Sequence, residues 1–227
     1  MPEQAKALQM ETEFWEMTTS CFGRGTAVAE ISKSVANSND FPKNDNTRQG
    51  NAMINFRKAS SADIPSIAEI YEDIHTEEEA GRVTIGWERG VYPTKATAEA
   101  ALLRGDLFVG TDNAGTIFGA AIINQKQVDV YEGAAWIYPA KDEEVMVLHT
   151  LVISPRYAGR GYGESFARFY EEYARDHQCP VLRIDTNERN TRARSMYKKL
   201  GYRESDMVPC QFNGIDGVHL VLLEKKV

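Results

Sequence analysis

"SPRYAGRGYGESF", Ser154 to Phe166, follows the apolar run "EVMVLHTLVIS" and precedes a segment whose large apolar residues recur every three or four positions. The run before it reads as a central strand buried on both faces. The segment after it reads as a helix: Phe166, Phe169, Tyr170, Tyr173 and Ala174 share a face, with Glu171, Glu172 and Arg175 towards water. Between them stand Gly159, Gly161 and Gly163, with Arg156 and Arg160 at the rim. A strand that ends in glycines and opens a helix is suited to hold phosphate. Residues without a Cβ let the backbone approach closely, and the first N–H groups of a helix lack partners and carry partial positive charge. Two known cradles fail on spacing. A P-loop needs Lys-Ser/Thr after its last glycine, where this chain has Glu164 and Ser165; a dinucleotide fingerprint needs GxGxxG at a first strand, and here GxGxG comes late.

Working outward, "CPVLRIDT" is a further strand and "NTRARSMYKKLGY" a helix with Ala193, Met196, Tyr197 and Leu200 on one face, closed by Gly201. "DGVHLVLLEKK" reads as the terminal strand. Upstream, "INFRKAS" alternates as a strand, "SADIPSIAEIYEDI" opens a helix capped by Ser61 or Asp63, and Lys95 to Leu103 predicts another stopped by Gly105. "DLFVGTDNAGTIFGAAIIN" reads as two strands joined at Asp112–Gly115. The order predicts an α/β (α+β) fold, a mixed sheet covered by helices. "ANSNDFPKNDNTRQGNA" (Ala36 to Ala52) has linker composition. We therefore divide the chain into an N-terminal extension over 1–52, with a short amphipathic helix from Ala5 to Met17, and a domain over 53–227.

With 227 residues, 42% hydrophobic and 26% charged, the composition is that of a globular domain with an appendage. A net charge of −7 argues against a dedicated nucleic-acid partner. No apolar run approaches the roughly 20 residues that cross a bilayer, so no membrane association is expected. Cys21, Cys179 and Cys210 form no CxxC pair, and His75, His177 and His219 show no ligand spacing. That predicts no metal and fits a reducing cytoplasm.

Two segments together are more specific than either alone. "VISPRYAGRGYG" and, some thirty residues on, "NERNTRARSMYKKLGY" resemble the GNAT superfamily of acetyl-CoA-dependent N-acetyltransferases. Ile153-Ser154-Pro155 leads into the glycine turn, and Asn190, Ala193, Tyr197, Gly201 and Tyr202 match N-x-x-A-x-x-x-Y-x-x-x-G-(F/Y). The resemblance covers Met53 to Val227. It implies a mostly antiparallel sheet flanked by helices and splayed at its central strands, with acetyl-CoA as co-substrate. It also implies roles for individual residues. Backbone N–H groups from Ala158 to Gly163, including those of Arg160 and Tyr162, would hold the pyrophosphate. Ile153 would pair with the pantetheine arm, and the Leu151 amide would polarise the acetyl carbonyl. Asn190, with Ala193 on its helix, would orient the cofactor arm, and Tyr197 would protonate the departing thiolate. One departure stands out: Ala158 occupies the family's Arg/Gln position, for which Arg156 or Arg160 would compensate.

Transfer to an amine needs a group to carry away the ammonium proton, and a base with a pKa near neutrality suits this task. His149, on the long strand two residues before Leu151, is the candidate; a core histidine is the competing reading. Glu143 and Glu144, at the start of that strand, are candidates to hold a cationic acceptor, against a solvated strand end. Trp87 and Tyr92, in "HTEEEAGRVTIGWERGVYPT", are candidate walls of the acceptor pocket, while Glu77, Glu78 and Glu79 read as solvated surface. The expected partner is a primary amine on a small molecule or peptide, attacked directly because no cysteine lies in the motif stretches. The competing reading is a non-catalytic acyl-CoA-binding sensor or interaction module. The sequence leaves a homodimer open.

Overall fold

Alternating apolar residues in seven segments build one sheet whose two faces are both covered. The computed structural model describes residues 54–227, together with the backbone of 48–49 and 52–53, which form a two-residue ladder. The helix and linker expected within residues 1–52 otherwise lie outside the described residues. The sheet contains β1 (Asn55–Lys58), β2 (Leu107–Thr111), β3 (Ile117–Asn124), β4 (Val145–Ile153), β5 (Val181–Asn187), β6 (Arg203–Phe212) and β7 (Ile215–Lys226), in the order β1-β2-β3-β4-β5-β7-β6. Every neighbouring pair is antiparallel except β4 with β5.

Because side chains alternate along a strand, β2 and β3 feed two cores. Phe108, Phe118, Ala121 and Ile123 pack with α3 (Tyr162–Asp176) and α4 (Thr191–Lys199). Leu107, Val109, Ala120 and Ile122 pack with α1 (Ile64–Glu79) and α2 (Lys95–Arg104). Helix spacing sets the matching faces: Ile67, Ile70, Tyr71 and Ile74 of α1 and Phe166, Tyr170 and Ala174 of α3 are buried. Each large ring or branched chain so buried contributes about 1.5–3 kcal/mol. A third cluster lies under the segment 125–144, where Tyr131 packs on Val145, Val147, Val181 and Leu222.

The parallel pairing of β4 with β5 is short. It runs from Val145↔Val181 to Leu148↔Ile184 and then stops, although both strands continue. From α3, the Tyr170 hydroxyl donates to the Met146 carbonyl of β4 at 2.6 Å and lies 3.1 Å from the Arg183 carbonyl of β5, clasping the closed end. Beyond Leu148 the strands part and leave a wedge. On its β4 side the ladder with β3 is interrupted: Ala120 pairs with Val152 but Ile122 with His149, so Thr150 and Leu151 form a bulge opposite Ala121. Thr150 has φ 50°, a left-handed backbone that a β-branched residue adopts only under strain.

Two expectations change. Arg203–Phe212 forms β6, a strand the sequence reading did not assign. It is an edge strand whose apolar alternation is short: Val208, Cys210 and Phe212 turn inward, but the first half is charged and polar and Pro209 interrupts the run. Glu171 is not turned to water: it is 4% exposed and pairs with Lys225 of β7 at 2.8 Å. Lys225 also donates to the Leu200 carbonyl at the end of α4, so the pair locks that helix to the sheet.

Candidate active site

The glycine turn leads from β4 through a single 3-10 turn, Pro155–Tyr157, into α3. Gly159 and Gly161 have φ of 78° and 80°, a region closed to most side chains, and Gly161 caps the helix. Among the described residues, the backbone N–H groups of Gly159, Arg160, Gly161, Tyr162 and Gly163 meet no acceptor, whereas Ser165 N already bonds Gly161 O. A row of free amides at the mouth of a 15-residue helix forms an anion-binding concavity. Gly163 serves packing: a Cβ there would stand 3.2 Å from Met196 Sδ of α4. The Ala158 amide is not part of the row, because it donates to Pro155 O at 3.1 Å.

The wedge opens beside this cradle. Ser154 N donates to Phe118 O on β3, so by alternation the amides of Ile153 and Leu151 face the opposite, open edge. Leu151 and Ile153 are half-buried, packed against the α3–α4 core. Across the gap, Asp185 is the first residue of β5 beyond the last pair with β4. It is half-buried, and the Tyr131 hydroxyl donates to its Oδ2 at 2.8 Å. Burial drives its pKa up to about 6, with the Tyr131 hydrogen bond opposing part of the rise.

The chain between α1 and α2 crosses the same mouth as a strap. The Glu78 carboxylate accepts from the amides of Ile85 and Gly86, Thr84 Oγ1 donates to Arg189 O at 2.9 Å, and Gly86 abuts the Asn187 side chain. Val91 lies against Gly214 in the β6–β7 turn, where a Cβ would come within 3.3 Å. The Tyr92 hydroxyl bonds the Thr150 hydroxyl on the bulge, and Trp87 meets the Tyr92 ring edge-on at 6.0 Å.

Known proteins match this arrangement. The Acetyltransferase (GNAT) family profile matches residues 65–202, more than half the chain. The chain belongs to the GNAT acetyltransferase family. An acetyltransferase of that family from Streptococcus agalactiae superposes with a TM-score of 0.64 at 24% identity, over 77% of this chain and 96% of that one. The ribosomal-protein-alanine N-acetyltransferase of Brucella melitensis gives 0.56 at 17% identity, over 76% and 99%. These likenesses concern the fold. In sequence, an uncharacterized N-acetyltransferase of Methanocaldococcus jannaschii is 29% identical over 73 residues, so the match spans about a third of that relative's length, 32%.

The GNAT co-substrate carries a diphosphate, and the free amide row suits one. The arginines divide. Arg156 Nη2 pairs with Glu69 at 2.6 Å and Asp73 at 3.4 Å on α1, so it is held away from compensating Ala158. Arg160 is exposed and lies 5.4 Å over the Tyr157 ring. Both border a surface depression of about 490 Å³ with Asp112, Asn113, Ala114, Tyr157 and Tyr162. Asn190 caps α4: its Oδ1 accepts from Ala193 N at 3.2 Å and its Nδ2 donates to Thr186 Oγ1 at 3.2 Å. Tyr197 is buried on α4, and burial, with the negative charge of Asp185, pushes its hydroxyl far above the usual phenol range.

Three predicted acceptor-side residues do not come together there. Glu143 and Glu144 precede β4 at the closed end of the wedge, roughly 20 Å along the strand from Leu151 at about 3.3 Å per residue. Glu144 closes a local turn onto Lys141 N, and Glu143 is exposed beside Lys141. His149 is tied to the chain leaving β3: its Nε2 lies 3.1 Å from Lys126 O and 3.2 Å from Asn124 Oδ1, both acceptors, so that nitrogen carries the proton. Burial lowers its pKa to about 4, which suits a core histidine better than a proton acceptor at neutral pH. The glutamate run is engaged throughout, Glu77 with Arg82 and Glu79 with Arg89, besides Glu78 in the strap. Asp185, Tyr131 and Thr150 were missed. A lone carboxylate inside the apolar strand "VLRIDT" was the available signal for the first; nothing in the sequence marked the other two. Among the described residues, no helix is long and apolar enough to cross a membrane, and no three metal-binding side chains gather.

Proposed function

We propose that this GNAT protein transfers acetyl from acetyl-CoA to a primary amine by direct attack. The observation that supports this reading furthest is the row of unpartnered amides at the start of α3, beside the open edge of β4. Gly159 to Gly163 would hold the diphosphate and Ile153 the pantetheine arm, leaving the Leu151 amide to stabilise the carbonyl oxygen as it gains charge. When bound, acetyl-CoA supplies an activated acyl group with a thiol leaving group. Tyr197 stands on the α4 side of the wedge, and burial keeps its hydroxyl protonated at neutral pH, so it carries a proton that the departing thiolate can take.

Direct attack is supported by the cysteines. Burial raises the thiol pKa of both Cys179 and Cys210, so neither is an activated nucleophile for an acyl-enzyme. The strap, pinned at Arg189, Thr150 and Gly214, narrows the acceptor mouth. It favours a slender amine, a small molecule or the end of a peptide, over a lysine on a folded surface. The test is thiol release from acetyl-CoA with butylamine, tyramine, spermidine and short peptides, alongside calorimetry with CoA. Turnover with one of these and CoA binding support the reading. Tight CoA binding without release for any amine would leave a binding module instead.

A further inference from the structure

We propose that Asp185 takes the proton from the acceptor's ammonium group, with Tyr131 holding its carboxylate in position. This rests on the acetyltransferase reading above and assigns the amine side of the same site. Position comes first. The sheet opens between β4 and β5 beyond Leu148 and Ile184, and Asp185 is the first β5 residue on that gap. It shares the face of Tyr131 and Val181, opposite the α3–α4 face to which Tyr197 belongs. The opening thus carries one acid-base group on each face of the sheet, and the charge of Asp185 acts on Tyr197 through it.

Its surroundings exclude a structural ion pair. Asp185 is in no salt bridge among the described residues, although carboxylates elsewhere in the molecule are paired. The ionisable groups that face it are Tyr131 from the segment 125–144, Tyr197 from α4 and Cys210 from β6, all neutral near pH 7. Arg183, two residues back on β5, stacks 4.1 Å over Trp136 and donates to Gln127, so its charge is directed at that segment. A carboxylate held in a cleft by one hydroxyl and no cation is a cost to the fold, and groups of this kind concentrate where chemistry is done. The missing cation is what an ammonium acceptor brings.

The proton count closes. An ammonium nitrogen that becomes a secondary amide sheds two protons. Asp185 takes the first before attack, freeing the lone pair that forms the C–N bond, and releases it to water. The second leaves the nitrogen after attack and replaces Tyr197's proton, which that hydroxyl has given to the sulfur freed by C–S cleavage. His149, bonded away from the wedge, is not needed.

The experiment compares two nucleophiles in Asp185→Asn and wild type. One is the alkylamine of the panel that wild type acetylates fastest; the other is hydroxylamine, whose nitrogen is already neutral at pH 7. We expect kcat/KM to fall about 100-fold or more for the alkylamine and within about threefold for hydroxylamine, with CoA affinity unchanged. Equal losses for both, or no loss for either, overturn the assignment while leaving the acetyltransferase reading intact. If wild type binds CoA but acetylates no amine, both readings fall together. Independently of turnover, 13C titration of the Asp185 carboxyl in the unliganded protein should give a midpoint near 6. A midpoint in the ordinary aspartate range overturns the proposal.

Discussion

The Tyr131 hydroxyl donates to Asp185 Oδ2 at 2.8 Å, and it is the only hydrogen bond to that carboxylate among the described residues. It joins the segment that covers the lower sheet to the strand that borders the wedge. Because the bond favours the charged carboxylate, Tyr131→Phe removes a force that holds the pKa down while keeping the ring in its packed place. The acidic limb of the kcat/KM profile, expected near pH 6 in wild type, should then move to higher pH by about one unit. Profiles of the two proteins with one amine check this; an unmoved limb separates Asp185 from the titration.

Stability should carry the same signature. The carboxyl of Asp185 titrates near 3.8 when unperturbed and about 6 in the fold, so between those values the folded protein binds more protons than the unfolded chain. The penalty is absent below about pH 4 and complete above about pH 6. Asp185→Asn should therefore be more stable than wild type at pH 8, on the order of 2–3 kcal/mol. Urea unfolding at pH 8 and again near pH 4 should show that gap and then its loss.

The cradle is tested at Gly161, whose φ of 80° disfavours any Cβ. Gly161→Val strains the turn by about 1–2 kcal/mol and turns the free amides away from a common point. CoA affinity should fall at least about tenfold by calorimetry, with little change in far-ultraviolet circular dichroism.

The two rim arginines should behave differently. Arg160→Ala removes an exposed cation beside the amide row and should weaken CoA binding a few-fold, more at low salt than at high. Arg156→Ala breaks the pairs with Glu69 and Asp73 on α1 and should leave CoA affinity unchanged, with under about 1 kcal/mol lost in stability. Calorimetry across salt concentrations distinguishes them.

Tyr197→Phe should lower kcat about 10- to 100-fold with the acceptor KM nearly unchanged, because the thiolate can leave without a positioned acid, only more slowly. Steady-state kinetics with the best acceptor measure it. A wild-type kcat would return Tyr197 to the packing role that its ring contact with Tyr202, 5.5 Å between centroids, already provides.

What the sequence by itself determined is what local chemistry determines. Gly159 and Gly161 can take positive φ, Asn190 can cap α4, and the spacing of Phe166, Tyr170 and Ala174 buries one face of α3; each follows from a few neighbouring residues. The pair of motifs carried the family for the same reason. Only the tertiary structure decided which charges are available. Arg156 is turned to α1 by Glu69, some ninety positions earlier, while Glu171 meets Lys225 and Asp185 meets no cation. The wedge exists because β4 and β5 stop pairing at Leu148 and Ile184, and the strained Thr150 is held there by Tyr92 from the strap. Ion pairing, burial and strand divergence are contacts between distant segments, so their outcome is written in the packing and not in any single stretch of residues.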